Sequence, residues 1–246
     1  MPARIYVCFT CLRDINLLPL HYAALYQAAP QARVYYVFTP EEGAQAVPPP
    51  GSYRVIMDFP RHGNLLGLDC HLGMLETMRL LSEANQNACA VKIDSDVYLR
   101  SDHFLETLGT EHDMAGVAPA REYYCKGTCY GMTHSLIKKV IHYLTHGYID
   151  RSGRLEDSTI SMVAAIVSDA NRVKIHNASN ADRTQILYSI FHDGFRKEPA
   201  LLQRISGFID CGDPCYTSHY ADAPTAKADA MEFVHQHLSR SAIKRH

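Results

Sequence analysis

Between Ala88 and Leu99 the chain reads Ala-Cys-Ala-Val-Lys-Ile-Asp-Ser-Asp-Val-Tyr-Leu, an apolar run that breaks at two aspartates one residue apart. Ala90, Val91 and Ile93 form a short buried strand, bounded upstream by the polar Asn85-Gln-Asn87. Side chains two apart on an extended chain point to one face, so Asp94 and Asp96 are expected to project together where the strand leaves its sheet. Two carboxylates roughly 6 Å apart repel by about 3 kcal/mol at an effective dielectric near 20, a large share of a domain's stability. Such a pair is tolerated when a proton or a cation sits between its members. A hard divalent cation with oxygen ligands, Mn²⁺ or Mg²⁺, suits that donor set and leaves coordination positions for phosphate oxygens. The same Asp-x-Asp spacing also occurs as a solvated turn, so its surroundings have to decide.

Those surroundings alternate strand and helix. Strands are expected over Arg4 to Thr10, Arg33 to Phe38 and Tyr53 to Met57, with a helix from about Leu17 to Ala28 stopped by Pro30. The segment from Thr39 to Gly51, rich in proline and glycine, reads as a surface loop. A helix from about Leu68 to Asn85 leads into the aspartate strand. Beyond it come a helix over Asp102 to Leu108, a strand over Asp113 to Ala118 and a helix over Ser135 to Thr145. This order predicts an α/β fold with a mostly parallel, Rossmann-like central sheet flanked by helices. With 246 residues and 47% apolar content, one large domain is expected, in three parts: 1–100, 101–200 and a C-terminal extension over 201–246 that carries a helix. In open α/β sheets ligands gather at the carboxyl ends of the strands, so Thr10, Asn64 and Asp94 are expected in one crevice.

The strand ending in Asp94-Ser95-Asp96-Val97 at about 40% of the chain resembles the metal motif of nucleotide-sugar glycosyltransferases of the GT-A type, and the resemblance extends over roughly residues 4 to 197. It implies a single GT-A-like domain transferring a sugar from a nucleoside-diphosphate sugar, UDP-linked, to a hydroxyl on a glycan, lipid-linked or protein acceptor. Asp94 and Asp96 then hold Mn²⁺ or Mg²⁺, while Thr10, Asn64 and Ser95 contact the nucleotide. The stretch Gly127-Thr-Cys-Tyr130-Gly131 takes the place of a glycine loop around the donor sugar and acceptor. Glu156 and Asp157, an acidic pair at the start of the apolar stretch reaching Val167, match the family's second acidic motif. In inverting members the aspartate is the general base, which gives Asp157 that role and leaves Glu156 to hold a neighbouring hydroxyl. Helix starts also favour acids for purely structural reasons. A late histidine completes the metal shell in many members; His192, followed by a glycine turn and the basic Arg196-Lys197, is preferred over His176.

Other readings draw on the same residues. A sugar nucleotidyltransferase shares sheet and aspartates, but its glycine-rich basic loop is missing from Thr10-Cys-Leu-Arg-Asp14. A non-catalytic nucleotide-sugar-binding module is the third. A net charge of −2 and a pI near 6.7 argue against nucleic acid as a partner. With no run of eighteen apolar residues and a first strand opening at Arg4, a cytoplasmic location is expected. Met231, Val234 and Leu238 fall on one stripe of a C-terminal helix with a basic end, to be docked on the core or laid on an anionic membrane surface. The cysteine pairs Cys8/Cys11, Cys125/Cys129 and Cys211/Cys215 read as free buried thiols. There is no tryptophan, so Tyr123, Tyr124 and Tyr130 are the expected stacking surfaces for a ring.

Overall fold

In the computed structural model, residues 2–10, 12–59, 68–118, 124–125, 127–146, 156–177, 199, 202–203, 206, 215–217 and 224–243 are described. Strands β1 (Arg4–Phe9), β2 (Arg33–Phe38) and β3 (Tyr53–Ile56) carry the β-branched and aromatic residues that favour a pleated surface. β4 (Cys89–Asp94), β6 (Met114–Ala118), β7 (Cys129–Met132) and β8 (Val173–Asn177) complete one seven-stranded sheet of order β3-β2-β1-β4-β7-β6-β8. Every neighbouring pair is parallel except those of β7, which runs antiparallel to both β4 and β6. The fold is therefore the expected α/β arrangement with a mostly parallel sheet.

Alternation along β1 sorts the core into two layers. Ile5 and Val7 face Met74, Leu75 and Met78 of α3 (Leu68–Ala84), together with Leu136, Ile137 and Val140 of α4 (His134–His146) and Val163 of α5 (Glu156–Val167). Tyr6 and Cys8 face Leu18 and Leu25 of α1 (Leu18–Ala28) and the Phe104 and Leu105 side chains. Helix and strand residues of this kind contribute roughly 1.5–3 kcal/mol each when fully buried, which fixes the register of β1 against slippage.

Several boundaries differ from expectation for local reasons. The first helix is preceded by a 3-10 stretch over Leu12–Leu17, and only Leu18–Ala28 is α-helical, with Pro19 tolerated in its first turn. The loop after β2 begins with a one-turn helix, α2 (Pro40–Gly43), closed by a reciprocal cap in which the Glu42 N–H donates to Thr39 Oγ1 and the Thr39 N–H donates to Glu42 Oε2. The helix expected over Asp102 to Leu108 is a single 3-10 turn, His103–Leu105. Two short strands, β5 (Val97–Leu99) and β9 (Cys215–Thr217), pair antiparallel in a separate sheet.

The expected glycine loop is strand β7. Tyr130 and Gly131 pair with β4 on one side and β6 on the other, and the Tyr130 side chain is fully buried. It therefore offers no stacking surface; Tyr124 is half-buried and Tyr123 lies outside the described residues. Glycine inside this strand follows from crowding. A Cβ on Gly131 would lie 2.6 Å from Leu108 Cδ2, and one on Gly116 of β6, the partner of Tyr130, would lie 2.6 Å from Cys125 Cβ and 2.8 Å from Tyr130 Cβ. Because those last two contacts are atoms next to the backbone, Gly116→Ala is expected to cost about 1–3 kcal/mol. The measurement is a urea melt whose midpoint falls while its slope stays unchanged.

The C-terminal helix, α6 (Pro224–Ile243), packs Ala230, Met231 and Val234 against Leu17, Ala24 and Tyr98, with Leu238 partly buried beside them. The apolar stripe is thus spent on the chain's own core, which removes it as a lipid-facing surface. No described helix is long and apolar enough to cross a membrane. Cys8, Cys70, Cys89, Cys125 and Cys129 are buried and none of them is in a disulfide, so Cys125 and Cys129 are not joined.

Candidate functional site

The sheet order places its switch point between β1 and β4: β2 and β3 extend to one side of β1, and β4 begins the other. A crevice for ligands is expected outside the carboxyl ends of these two strands. Phe9 of β1 stands opposite Asp94 of β4 in register, so Asp94 is the last residue of β4 at that point. Its side chain is 25% exposed, whereas most of the polar residues around it are enclosed.

Among the described residues each aspartate has its own ammonium partner. Asp94 Oδ1 lies 2.6 Å from Lys92 Nζ, two residues earlier on the same face of β4, and the Lys92 side chain is 1% exposed. Asp96 is buried, and its Oδ2 accepts from Lys227 Nζ of α6 at 2.7 Å. Lys227 also donates to Asp14 Oδ1 at 3.2 Å, and the Ser95 hydroxyl donates to Asp14 Oδ2 at 3.0 Å. The repulsion anticipated between the carboxylates is relieved by two ammonium groups, one per aspartate. The turn after β4 carries Asp96 inward, its side chain 3% exposed, while that of Asp94 is 25% exposed.

Thr10 and Ser95 are likewise engaged inside the protein. The Thr10 hydroxyl and N–H both donate to the Val37 carbonyl, at 2.9 and 3.2 Å, tying the end of β1 to β2. Both residues are buried. Asn64, His192, Arg196 and Lys197 lie outside the described residues. His176 belongs to β8 and Glu156 opens α5, and the structure describes neither side chain.

A second cluster joins Asp94 to Asp157. Lys92 Nζ also donates to the Gly127 carbonyl, and the Gly127 N–H donates to Asp157 Oδ2 at 3.0 Å. Asp157 Oδ1 accepts the Ser158 N–H at 2.7 Å, which anchors the carboxylate at the start of α5. The Asp94 N–H donates to the Thr128 carbonyl at 3.0 Å, so the Gly127-Thr128 segment bridges the two acids from both sides. Residues 94 and 157, more than sixty positions apart in sequence, are thereby brought to one polar patch beside the switch point.

Lys92, Asp14, Lys227 and His21 are the polar residues of this region that sequence reasoning missed. Lys92 was visible as a cation two residues before Asp94, on its face. Lys227 and Asp14 carry no local signal, because the contacts span 131 and 213 positions. Lys92 and Lys227 hold one oxygen each of Asp94 and Asp96, and among the described residues no group of three acid, histidine or cysteine side chains suitable for a metal is formed.

His21 of α1 is fully buried, with Nδ1 2.9 Å from the Tyr36 hydroxyl. Burial lowers its pKa to about 4, although the charge of Asp96 and the Asp94 backbone pull it upward. The imidazole is neutral in the fold, while the unfolded chain takes up a proton below about pH 6.5. Stability is therefore complete above pH 6.5 and falls as pH drops towards 4, by about 3 kcal/mol for this group. Acid melts should show a shallower decline over that window in His21→Gln than in the wild type.

No family model matches the sequence, and no curated protein matches it. Among solved structures, the fold is similar to that of a glycosyltransferase involved in the glycosylation of the major capsid of PBCV-1. The TM-score is 0.53 and the identity 9%, over 94% of this chain and 99% of that one.

Proposed function

We propose that this chain is a glycosyltransferase of the GT-A type, moving a sugar from a nucleoside-diphosphate sugar, UDP-linked, to a hydroxyl of a glycan, lipid-linked or protein acceptor. The observation that carries the reading is the position of Asp94: a partly exposed carboxylate at the end of β4, at the switch point of a sheet whose fold is similar to that of a glycosyltransferase.

A carboxylate accepts hydrogen bonds and gives none, so Asp94 suits the hydroxyls of a ribose or sugar better than phosphate oxygens. The buried Lys92 ammonium lies 2.6 Å from Asp94 Oδ1 and holds that oxygen in place. Arg196 and Lys197 are the cations assigned to the diphosphate in this reading. In an inverting transfer Asp157 takes the proton of the acceptor hydroxyl while its oxygen bonds to the anomeric carbon. The bond from that carbon to the diphosphate oxygen breaks, and the nucleoside diphosphate leaves with the electron pair. Both oxygens of Asp157 accept backbone N–H groups, which fixes the carboxylate without using every lone pair.

The test is a screen of nucleotide sugars with product analysis. Release of free sugar and nucleoside diphosphate, or transfer to an added acceptor, supports the reading. Pyrophosphate formation from a sugar phosphate and a nucleoside triphosphate would make the chain a nucleotidyltransferase, and binding without turnover a binding module.

A further inference from the structure

We infer that His142 and His146, one turn apart at the carboxyl end of α4, form a chelating pair for a divalent transition ion of the Zn²⁺, Ni²⁺ or Cu²⁺ class. The inference is independent of the proposed function, since neither residue belongs to the candidate site described above.

Three observations carry it. The first is spacing. Side chains four apart on a helix are neighbours on its surface, and these two rings have centroids 4.6 Å apart and planes inclined by 30°. An ion with metal–nitrogen bonds of about 2.0–2.1 Å and tetrahedral angles holds two nitrogens about 3.4 Å apart, a spacing that rings this close reach by rotation of the exposed His142 side chain. The second is the tautomer. His146 Nδ1 lies 3.1 Å from the His142 carbonyl oxygen. A carbonyl only accepts, so Nδ1 carries the proton and Nε2 keeps its lone pair for a ligand. Metal-binding histidines are typically held in this manner, with the second ring nitrogen donating to a carbonyl, carboxylate or water. The third is place. His146 is the last residue of α4, where the carbonyls of the final turn carry partial negative charge and favour a cation.

The neighbours decide which ion. Lys138 and Lys139 stand exposed one turn before His142, and α4 contains no acidic residue. Their charge opposes any cation, so the ion has to be held by nitrogen donation and not by charge. Imidazole suits Zn²⁺, Ni²⁺ and Cu²⁺, whereas Mg²⁺ and Ca²⁺ take oxygen ligands. Two protein donors leave the remaining coordination positions to water. An ion shared by the two rings ties residue 142 to residue 146 and closes the end of the helix against fraying.

The experiment is Zn²⁺ titration of the full chain, free of any histidine tag, in competition with a zinc-sensitive dye, for the wild type, His142→Gln, His146→Gln and the double variant. Expected in the wild type is one Zn²⁺ site that the double variant lacks, weakened by about tenfold or more in each single variant, because the second ligand of a chelate binds intramolecularly. Loss that follows only one of the two residues means a lone histidine and overturns the pair. Uptake equal in the wild type and the double variant overturns it as well, and so does no uptake by the wild type. Both positions are exposed, so the variants should melt with the wild type in EDTA. Should one fail to fold, the electron paramagnetic resonance spectrum of Cu²⁺ bound to the wild type decides: splitting by two imidazole nitrogens supports the inference, and its absence overturns it. Sugar release is not read in any of these measurements, so failure here and failure of the proposed function remain distinct.

Discussion

Lys227→Met should lower the unfolding free energy by about 3–5 kcal/mol, the usual cost of removing one partner from a buried ion pair. For a chain of this length that corresponds to a fall in melting temperature of roughly 6–20 °C. The cause is not a lost attraction alone. Without the ammonium, the buried Asp96 and Asp14 lose the cation that both of them contact. Adding Asp96→Asn to Lys227→Met should therefore recover part of the loss, and the two substitutions should be strongly non-additive. Burial works to lower the pKa of Lys227, but the charges and hydrogen bonds of Asp96 and Asp14 outweigh it and hold the group above the ordinary lysine value. The stabilisation is then complete below about pH 10.4, where the unfolded lysine titrates, and is lost as pH rises through the higher folded value. Alkaline melts of the wild type should show that loss, and those of Lys227→Met should not.

Asp157→Asn should leave donor affinity within about twofold of the wild type and reduce transfer by about 10²–10⁴, the range typical of a lost general base. The substitution also has a structural side. An amide group in place of one oxygen turns a donor towards either the Gly127 or the Ser158 N–H, at a cost of about 1–3 kcal/mol. The two effects separate in their readouts. Loss of a base removes the acidic limb of the pH–rate profile and lowers kcat with donor KM unchanged. A purely structural role would shift the melting temperature and KM together and leave the shape of the profile alone.

Much of the scaffold could be read locally. β2 begins and ends where its apolar alternation does, and α3 and α4 lie within a residue or so of their expected bounds, because their apolar spacing and their polar flanks agree. β7 was missed since Gly127 before it and Gly131 within it suggested a turn. Its identity depends on two neighbouring strands that bury it from both sides, and on Leu108 filling the space that a larger side chain at Gly131 would need. β9 is three residues long and exists only through β5.

The candidate site divides along the same line. That Asp94 closes a central strand could be inferred from the residues around it, and so could the need for positive charge beside it. Which charge supplies it could not: Lys227 reaches Asp96 from α6, and no pattern near either residue announces the contact. The face shared by residues two apart holds only while the chain stays extended, and β4 ends at Asp94, so the turn sends Asp96 elsewhere. Asp157 approaches Asp94 through Gly127, a backbone contact that side-chain reasoning does not see.

The central claim, that the carboxyl end of β4 receives a nucleotide sugar, is tested most directly by equilibrium titration of UDP-sugars into the wild type and Asp94→Asn. Saturable binding is expected in the wild type. Asp94→Asn should weaken it by about 10–100-fold, the equivalent of one charged hydrogen bond of roughly 1.5–3 kcal/mol. Equal affinity in the two proteins, or no binding of any nucleotide sugar to the wild type, would contradict the account.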